Sequence, residues 1–157
     1  MSKSLPPFQA FLDGHRVEVF RFLASMVGPD EADDCFQETF IAALAAYPRL
    51  RPGSNARAWI LTIARHKAID AVRARERRAV PDEGAATTAV AGTAAPAEDP
   101  ELWQAVGALP PKQRAALYLR YVADMPHRDV AQVLECSEDA ARRSAHEGIT
   151  KLREVWA

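Results

Sequence analysis

Residues 127–156 read HRDVAQVLECSEDAARRSAHEGITKLREVW, and this stretch decides the fold. From His127 to Leu134 the apolar positions are Val130, Ala131, Val133 and Leu134, which one face of a short helix can gather. From about Glu138 to Trp156 they are Ala141, Ala145, Ile149 and Leu152, again on one face. Between the two lies Glu135-Cys136-Ser137, a three-residue turn. Short helix, tight turn and longer helix make a helix-turn-helix, whose second helix can enter a DNA major groove.

Working upstream, Leu102 to Leu109 reads as a short helix. Leu109-Pro110-Pro111 opens another that carries Leu117, Leu119, Tyr121 and Val122. Before these, the composition shifts sharply. Residues 79–100 are Ala, Thr, Pro, Gly and acids with almost no large apolar side chain, so they cannot anchor a core and are expected to form a flexible linker.

The N-terminal part regains helical periodicity. Phe8, Phe11, Leu12, His15, Val19, Phe22, Leu23 and Met26 form one stripe, ended by Gly28-Pro29. Asp30 is then the expected N-cap of a second helix, with Ala32, Phe36, Phe40, Ala43, Leu44 and Tyr47 inward and Pro48 as its stop. After Arg51-Pro52-Gly53-Ser54 a third helix is expected from about Asn55 to Arg78, with Ile60, Ile63, Ala64, Ala68 and Val72 buried. The fold class is therefore all-α, in two small helical domains. Residues 1–78 form a three-helix unit, 79–100 the linker and 101–157 the helix-turn-helix unit.

Composition narrows the functional classes. The 157 residues are 48% hydrophobic and 26% charged, which suits a folded chain. A formal charge of −1 excludes a protein that coats nucleic acid through general basicity, so any such binding must come from local patches. Cys35 and Cys136 have no partner at metal-ligand spacing and read as small buried thiols, so no metal and no cofactor is expected. His15, His66, His127 and His146 are scattered without nucleophile-base spacing, which points away from an enzyme. No apolar run approaches the ~20 residues of a membrane span, and a cytoplasmic location without membrane insertion is expected.

Two local patches stand out against the balanced total. Asp34, Gln37, Glu38 and Ile41 recur at i, i+3, i+4 and i+7, opposite the Phe36/Phe40 stripe. Asp30, Glu31 and Asp33 add acids nearby. Acids in a first turn complement the helix dipole without any partner, but an acceptor-rich ridge further along suits docking on a basic surface. The second patch runs from Arg57 to Arg78, where seven bases face two acids, a local charge of +5. Trp59 lies near its start and is expected to be at least partly core. A basic helix with an aromatic ring can hold phosphates and support unstacked bases.

These residues also carry a family resemblance. Ala32-Asp33-Asp34-Cys35-Phe36-Gln37-Glu38-Thr39-Phe40, Ala58-Trp59-Ile60, Thr62-Ile63-Ala64-Arg65, Ala68-Ile69-Asp70 and Arg73 resemble, in order and spacing, the second region of extracytoplasmic-function (ECF) sigma factors of the sigma-seventy family. Leu109-Pro110, Gln113-Arg114, Leu119-Arg120-Tyr121, the helix around Ala131 and Leu134, and Leu152-Arg153 resemble their fourth region. The resemblance implies a transcription initiation factor that binds core RNA polymerase and directs it to promoter DNA.

Residue by residue, the resemblance implies docking of Asp34, Gln37, Glu38 and Ile41 on the beta-prime clamp helices, with the fourth region meeting the beta flap. It implies recognition and melting of the minus-ten element by Arg57, Trp59, Arg65, His66 and Arg73. Reading of the minus-thirty-five element falls to Arg142, Arg143 and His146, with Lys112, Arg114 and Arg128 on phosphates. It also implies an anti-sigma factor as an inhibitory partner, of which no residue here gives a sign.

The chain departs from the family in places. Asn is frequent in the family where His66 stands, and Gly where Glu135 stands. A left-handed backbone at Glu135 would cost about 1 kcal/mol relative to Gly. From Glu138 to Glu154 four acids balance four bases, a weak electrostatic background for groove binding. Two other readings compete. A stand-alone helix-turn-helix regulator would need a self-association surface and leaves the Asp34/Gln37/Glu38 ridge unexplained. A polymerase-binding protein without promoter activity would fit the balanced last helix.

Overall fold

The computed structural model describes residues 4–78 and 100–156, and every regular element among them is helical. Residues 79–99, nearly all of the expected linker, lie outside the described residues. The first unit comprises α1 (Phe8–Val27), α2 (Pro29–Ala46), a 3-10 turn (Tyr47–Arg49) and α3 (Ala56–Arg78).

A single residue separates α1 from α2. Gly28 has φ 88° and ψ 163°, donates its N–H to Ala24 O at 2.9 Å and accepts from Ala32 N at 3.0 Å. It thus ends one helix and starts the next, in a conformation that a side chain would strain. Pro29 takes the first helical position, where its missing N–H leaves nothing unsatisfied. The expected N-cap therefore shifts: Asp30 lies inside the first turn of α2 beside Glu31, where both acids complement the helix dipole.

The far end of α2 also differs from expectation. Pro48 does not stop the chain's helical path but sits within the 3-10 turn, and Leu50 N bonds Tyr47 O to close it. Tyr47 is buried and donates its hydroxyl to Pro6 O, fastening the segment before α1. Leu44, expected inward, is 56% exposed, because Ala43 takes the core position instead.

Asn55 caps α3 by accepting from Ala58 N at 3.0 Å. Ile60, Ala64 and Ala68 are fully buried as the periodicity implies, while Ile63 and Val72 are half-buried. Leu61 is fully buried as well, although it lies off that stripe. The reason is tertiary: α3 is packed by α1, α2 and a helix of the second unit, so it buries more than one face.

The second unit holds α4 (Pro100–Gly107), α5 (Pro111–Leu117), a π-helical turn (Tyr118–Val122), α6 (His127–Leu134) and α7 (Glu138–Trp156). The helix-turn-helix has the boundaries read from the sequence. Ser137 caps α7 through its hydroxyl, which accepts from Ala140 N at 3.0 Å. Glu135 ends α6 with φ 56°, and Cys136 N reaches back to Ala131 O at 3.1 Å, the hydrogen bond of a left-handed helix stop. Tyr121 and Val122, at the end of the π turn, are 58% and 50% exposed, whereas Leu117 and Leu119 are buried.

The two units pack on each other. One continuous cluster of buried residues runs from Val19, Phe22 and Leu61 in the first to Leu119, Val130 and Val133 in the second. The rings of Phe22 and Tyr118 meet across the junction with centroids 5.7 Å apart, and burial pushes the Tyr118 hydroxyl pKa up to about 12. Among the described residues no helix is long and apolar enough to cross a membrane.

Candidate functional site

Three surfaces carry the residues singled out from the sequence. The first is α2. Asp34, Gln37, Glu38 and Ile41 are all exposed, and Ile41 shows 68% of its surface. They share one side of the helix because Ala32, Cys35, Thr39, Phe40 and Ala43 bind the opposite side to the core. Thr39, fully buried, satisfies its hydroxyl by donating to Cys35 O at 2.6 Å. Burial, with the negative charge of Glu38 adding to it, raises the Cys35 thiol to about 11, so it stays protonated as an inert packing group. Beside the ridge, an open groove between α2 and α3 is lined by Asp34, Glu38 and Ile41 on one wall and Lys67, Asp70 and Arg77 on the other.

The second surface is α3. Arg57 is half-buried, with Nε donating to Glu18 Oε1 at 2.6 Å and Nη2 to Ala123 O at 2.5 Å. Trp59 is also half-buried, packed edge-on to Phe11 at 5.7 Å and tilted against Tyr47 at 6.3 Å. Its indole is thus partly core, as expected. Arg65 keeps only 15% of its side chain exposed and lies 3.6 Å from Glu135. Burial lowers the Arg65 pKa, and the Glu135 carboxylate opposes that shift. His66 bonds the same Glu135 oxygen through Nε2. Arg73 is exposed further along the helix. The +5 segment also has an architectural member: Arg75 reaches Glu31 at 2.7 Å and donates to Val27 O at 2.8 Å, bracing the α1–α2 corner.

The third surface lies on α6 and α7. Arg142 and Arg143 are exposed near the start of α7, and His146 follows one turn later. Arg142 rests between Glu138 at 3.3 Å and Asp139 at 3.5 Å, so its charge is held by its own helix. Arg128 is 81% exposed by side chain, and Lys112 is exposed on α5. An open depression between Arg120, His127, Arg128 and Arg142 adjoins them.

Arg114 does not join that surface. It is 8% exposed and donates to Met26 O at 2.6 Å and Leu109 O at 2.9 Å, which turns it inward to the junction and away from any phosphate. Its buried place arises because α5 lies against the end of α1, a neighbour that local periodicity could not reveal. Sequence reasoning also missed Glu18 and Ala123 as partners of Arg57. Glu135 had drawn attention only as an acid where Gly is frequent. Among the described residues no group of His, Cys, Asp and Glu could hold a metal ion.

Residues 11–78 match the family model for Sigma-70 region 2, and residues 100–152 match that for Sigma-70, region 4. The ECF RNA polymerase sigma factor SigC of Mycobacterium tuberculosis is 34% identical over 132 residues, covering 82% of this chain and 71% of SigC. The RNA polymerase sigma factor CarQ of Myxococcus xanthus is 33% identical over 154 residues, covering 94% of this chain and 88% of CarQ. In fold, the chain is similar to the sigma factor RpoE solved in complex with the anti-sigma factor NepR from Bartonella quintana. That likeness has a TM-score of 0.80 at 24% identity and covers 94% of each chain.

Proposed function

The chain belongs to the ECF group of the sigma-70 family, and from that membership we propose how its three surfaces divide the work of starting transcription. As a family member it is a transcription initiation factor that binds core RNA polymerase and directs it to promoters.

In the proposed division, residues 1–78 dock the polymerase and open DNA, residues 79–100 connect, and residues 101–157 hold the upstream element. The α2 ridge of Asp34, Gln37, Glu38 and Ile41 meets the beta-prime clamp helices. The observation that carries this is their common exposure on one side of α2, an apolar residue set among acceptors, as a protein-docking patch requires.

Arg57, Trp59, Arg65, His66 and Arg73 on α3 take the minus-ten element, where extruding a base costs a few kcal/mol that phosphate contacts and a pocket must offset. Arg142, Arg143 and His146 enter the upstream major groove, flanked by Lys112 and Arg128 on phosphates, while the same unit meets the beta flap. Arg114 keeps its structural post. The factor acts in the cytoplasm and does no catalysis of its own. An anti-sigma factor belongs to the proposal through the similar fold of RpoE, which was solved with one.

Reconstitution tests the reading. Core polymerase supplied with this chain should transcribe from promoters selected out of genomic fragments, and core alone should not. Absence of promoter-dependent transcript from a folded, core-bound chain would leave a polymerase-binding protein without initiation activity.

A further inference from the structure

Helix α3 carries charge beyond the residues given to promoter DNA. Lys67, Asp70, Ala74 and Arg77 recur at i, i+3, i+7 and i+10, and this face forms one wall of the open groove against α2. Asp34, Glu38 and Ile41 form the other wall, and the groove encloses about 730 Å³. Its less exposed lining is small: Cys35 is buried, and Ala42, Ala71 and Ala74 are half-buried. Arg78 also lines it, with Nε turned back to Ala74 O at 3.3 Å.

Opposite charges face each other here without pairing. Among the described residues, none of Asp34, Glu38, Lys67, Asp70 and Arg77 is in an ion pair. Glu31, which also lines the groove, is by contrast taken by Arg75 at 2.7 Å. Exposed charges stay hydrated, so the fold gains little from this pattern and does not neutralise it. A groove lined in this way offers both signs to one occupant.

We propose that a helix of core RNA polymerase lies in this groove rather than on the α2 ridge alone, so that Lys67 and Arg77 are polymerase contacts carried on the DNA-facing helix. The inference rests on the reading of the α2 ridge as the docking surface and adds a second wall to it. It also fixes the chemistry of the occupant. One flank carries bases for Asp34 and Glu38; the other carries acid, base and acid, in that order, for Lys67, Asp70 and Arg77.

Lys67 and Arg77 are ten residues apart, about 15 Å along the helix. Three alternating charges over that length set register and direction, because a slip of one turn would bring like charges together. The small lining residues let the occupant's backbone come close, and Ile41 supplies an apolar contact at the rim. A DNA strand suits the groove poorly, since Asp34, Glu38 and Asp70 would meet its phosphates. Docking in the groove would place α3 directly against polymerase, and so position the same helix that takes the minus-ten element.

The test titrates the fluorescently labelled full chain with core polymerase and follows each variant by thermal melting. Lys67→Glu with Arg77→Glu should weaken core binding roughly tenfold or more, while Lys67→Arg with Arg77→Lys should keep it. Ala74→Trp plugs the groove without changing charge and should weaken binding similarly. Ala42→Trp places the same plug from the α2 side, a second variant should the first lower the melting temperature. Asp34→Lys with Glu38→Lys reports on the ridge itself.

If the ridge variant loses core while the charge-reversed α3 variant and both plugs bind as the parent does, the groove is overturned and the ridge stands. If charge reversal on α3 weakens binding but both folded plugs do not, long-range attraction accounts for the loss and seating in the groove is overturned. If the ridge variant also binds as the parent does, the docking reading falls and the groove falls with it.

Discussion

Arg114 in α5 donates to the carbonyl oxygen of Met26 at the end of α1, at 2.6 Å. With its second donor on Leu109 O, one buried guanidinium joins the start of the helix-turn-helix unit to the three-helix unit. Helix ends leave carbonyls unsatisfied, and here cations fill two of them, Arg114 on Met26 and Arg75 on Val27. Replacing Arg114 by Met should strand two acceptors and destabilise the chain by roughly 2–4 kcal/mol. Urea unfolding measures this, and an unchanged midpoint would contradict it.

Charge reversal on the α2 ridge should separate binding from stability. Asp34→Lys with Glu38→Lys should abolish association with core polymerase in a pull-down. Because both side chains are exposed, the unfolding free energy should change by only about 0.5 kcal/mol per substitution. Retained core affinity would refute the docking assignment.

On α7, Arg142→Ala should remove protection of the upstream element in a footprint of the holoenzyme. A bidentate base contact contributes roughly 1–3 kcal/mol of discrimination. Since Glu138 and Asp139 already hold Arg142, the loss should fall toward the lower end of that range. An identical footprint would remove Arg142 from the groove.

Two helical glycines should respond in opposite directions. A Cβ at Gly14 meets nothing within 4 Å, so Gly14→Ala should stabilise α1 by about 0.5–1 kcal/mol through helix propensity. A Cβ at Gly148 would lie 2.9 Å from both Cγ and Cδ1 of Leu117. Gly148→Val should therefore push α7 off α5 and cost roughly 1–3 kcal/mol. Thermal melts of both variants read the signs directly.

Acid should weaken the α1 region through His15. Burial lowers its pKa below the ordinary 6.5, with Glu18 opposing and Arg57 reinforcing the shift. The folded state thus prefers the neutral ring, and its contribution is complete above pH 6.5. It is lost as pH falls below 6.5 toward the lower folded pKa, because the unfolded chain takes up the proton first. His15→Gln should flatten that part of the stability profile, leaving the slope from His127, whose pKa is also lowered. Equal slopes in parent and variant would contradict the assignment.

What the sequence made legible was what periodicity and composition encode locally. The helix-turn-helix boundaries, the Asn55 start of the third helix and the exposed Asp34/Gln37/Glu38 ridge all follow from spacing between neighbours in the chain. Leu61, Arg114 and Glu135 were beyond that reach for a shared reason. Each owes its environment to the packing of one unit on the other, between residues as far apart as Met26 and Arg114. Asp30 and Pro29 show a different failure: two competing helix starts lay side by side, and the fixed φ of proline at the first position prevailed.

The buried cluster that continues from Phe22 and Leu61 into Leu119 and Val130 bears on how the molecule melts. Two units that share an interior lend each other heat capacity and cooperativity, so the unbound factor should give one calorimetric transition. Once prised apart, the same chain should melt in two smaller steps, each unit left with the thin core of a very small domain.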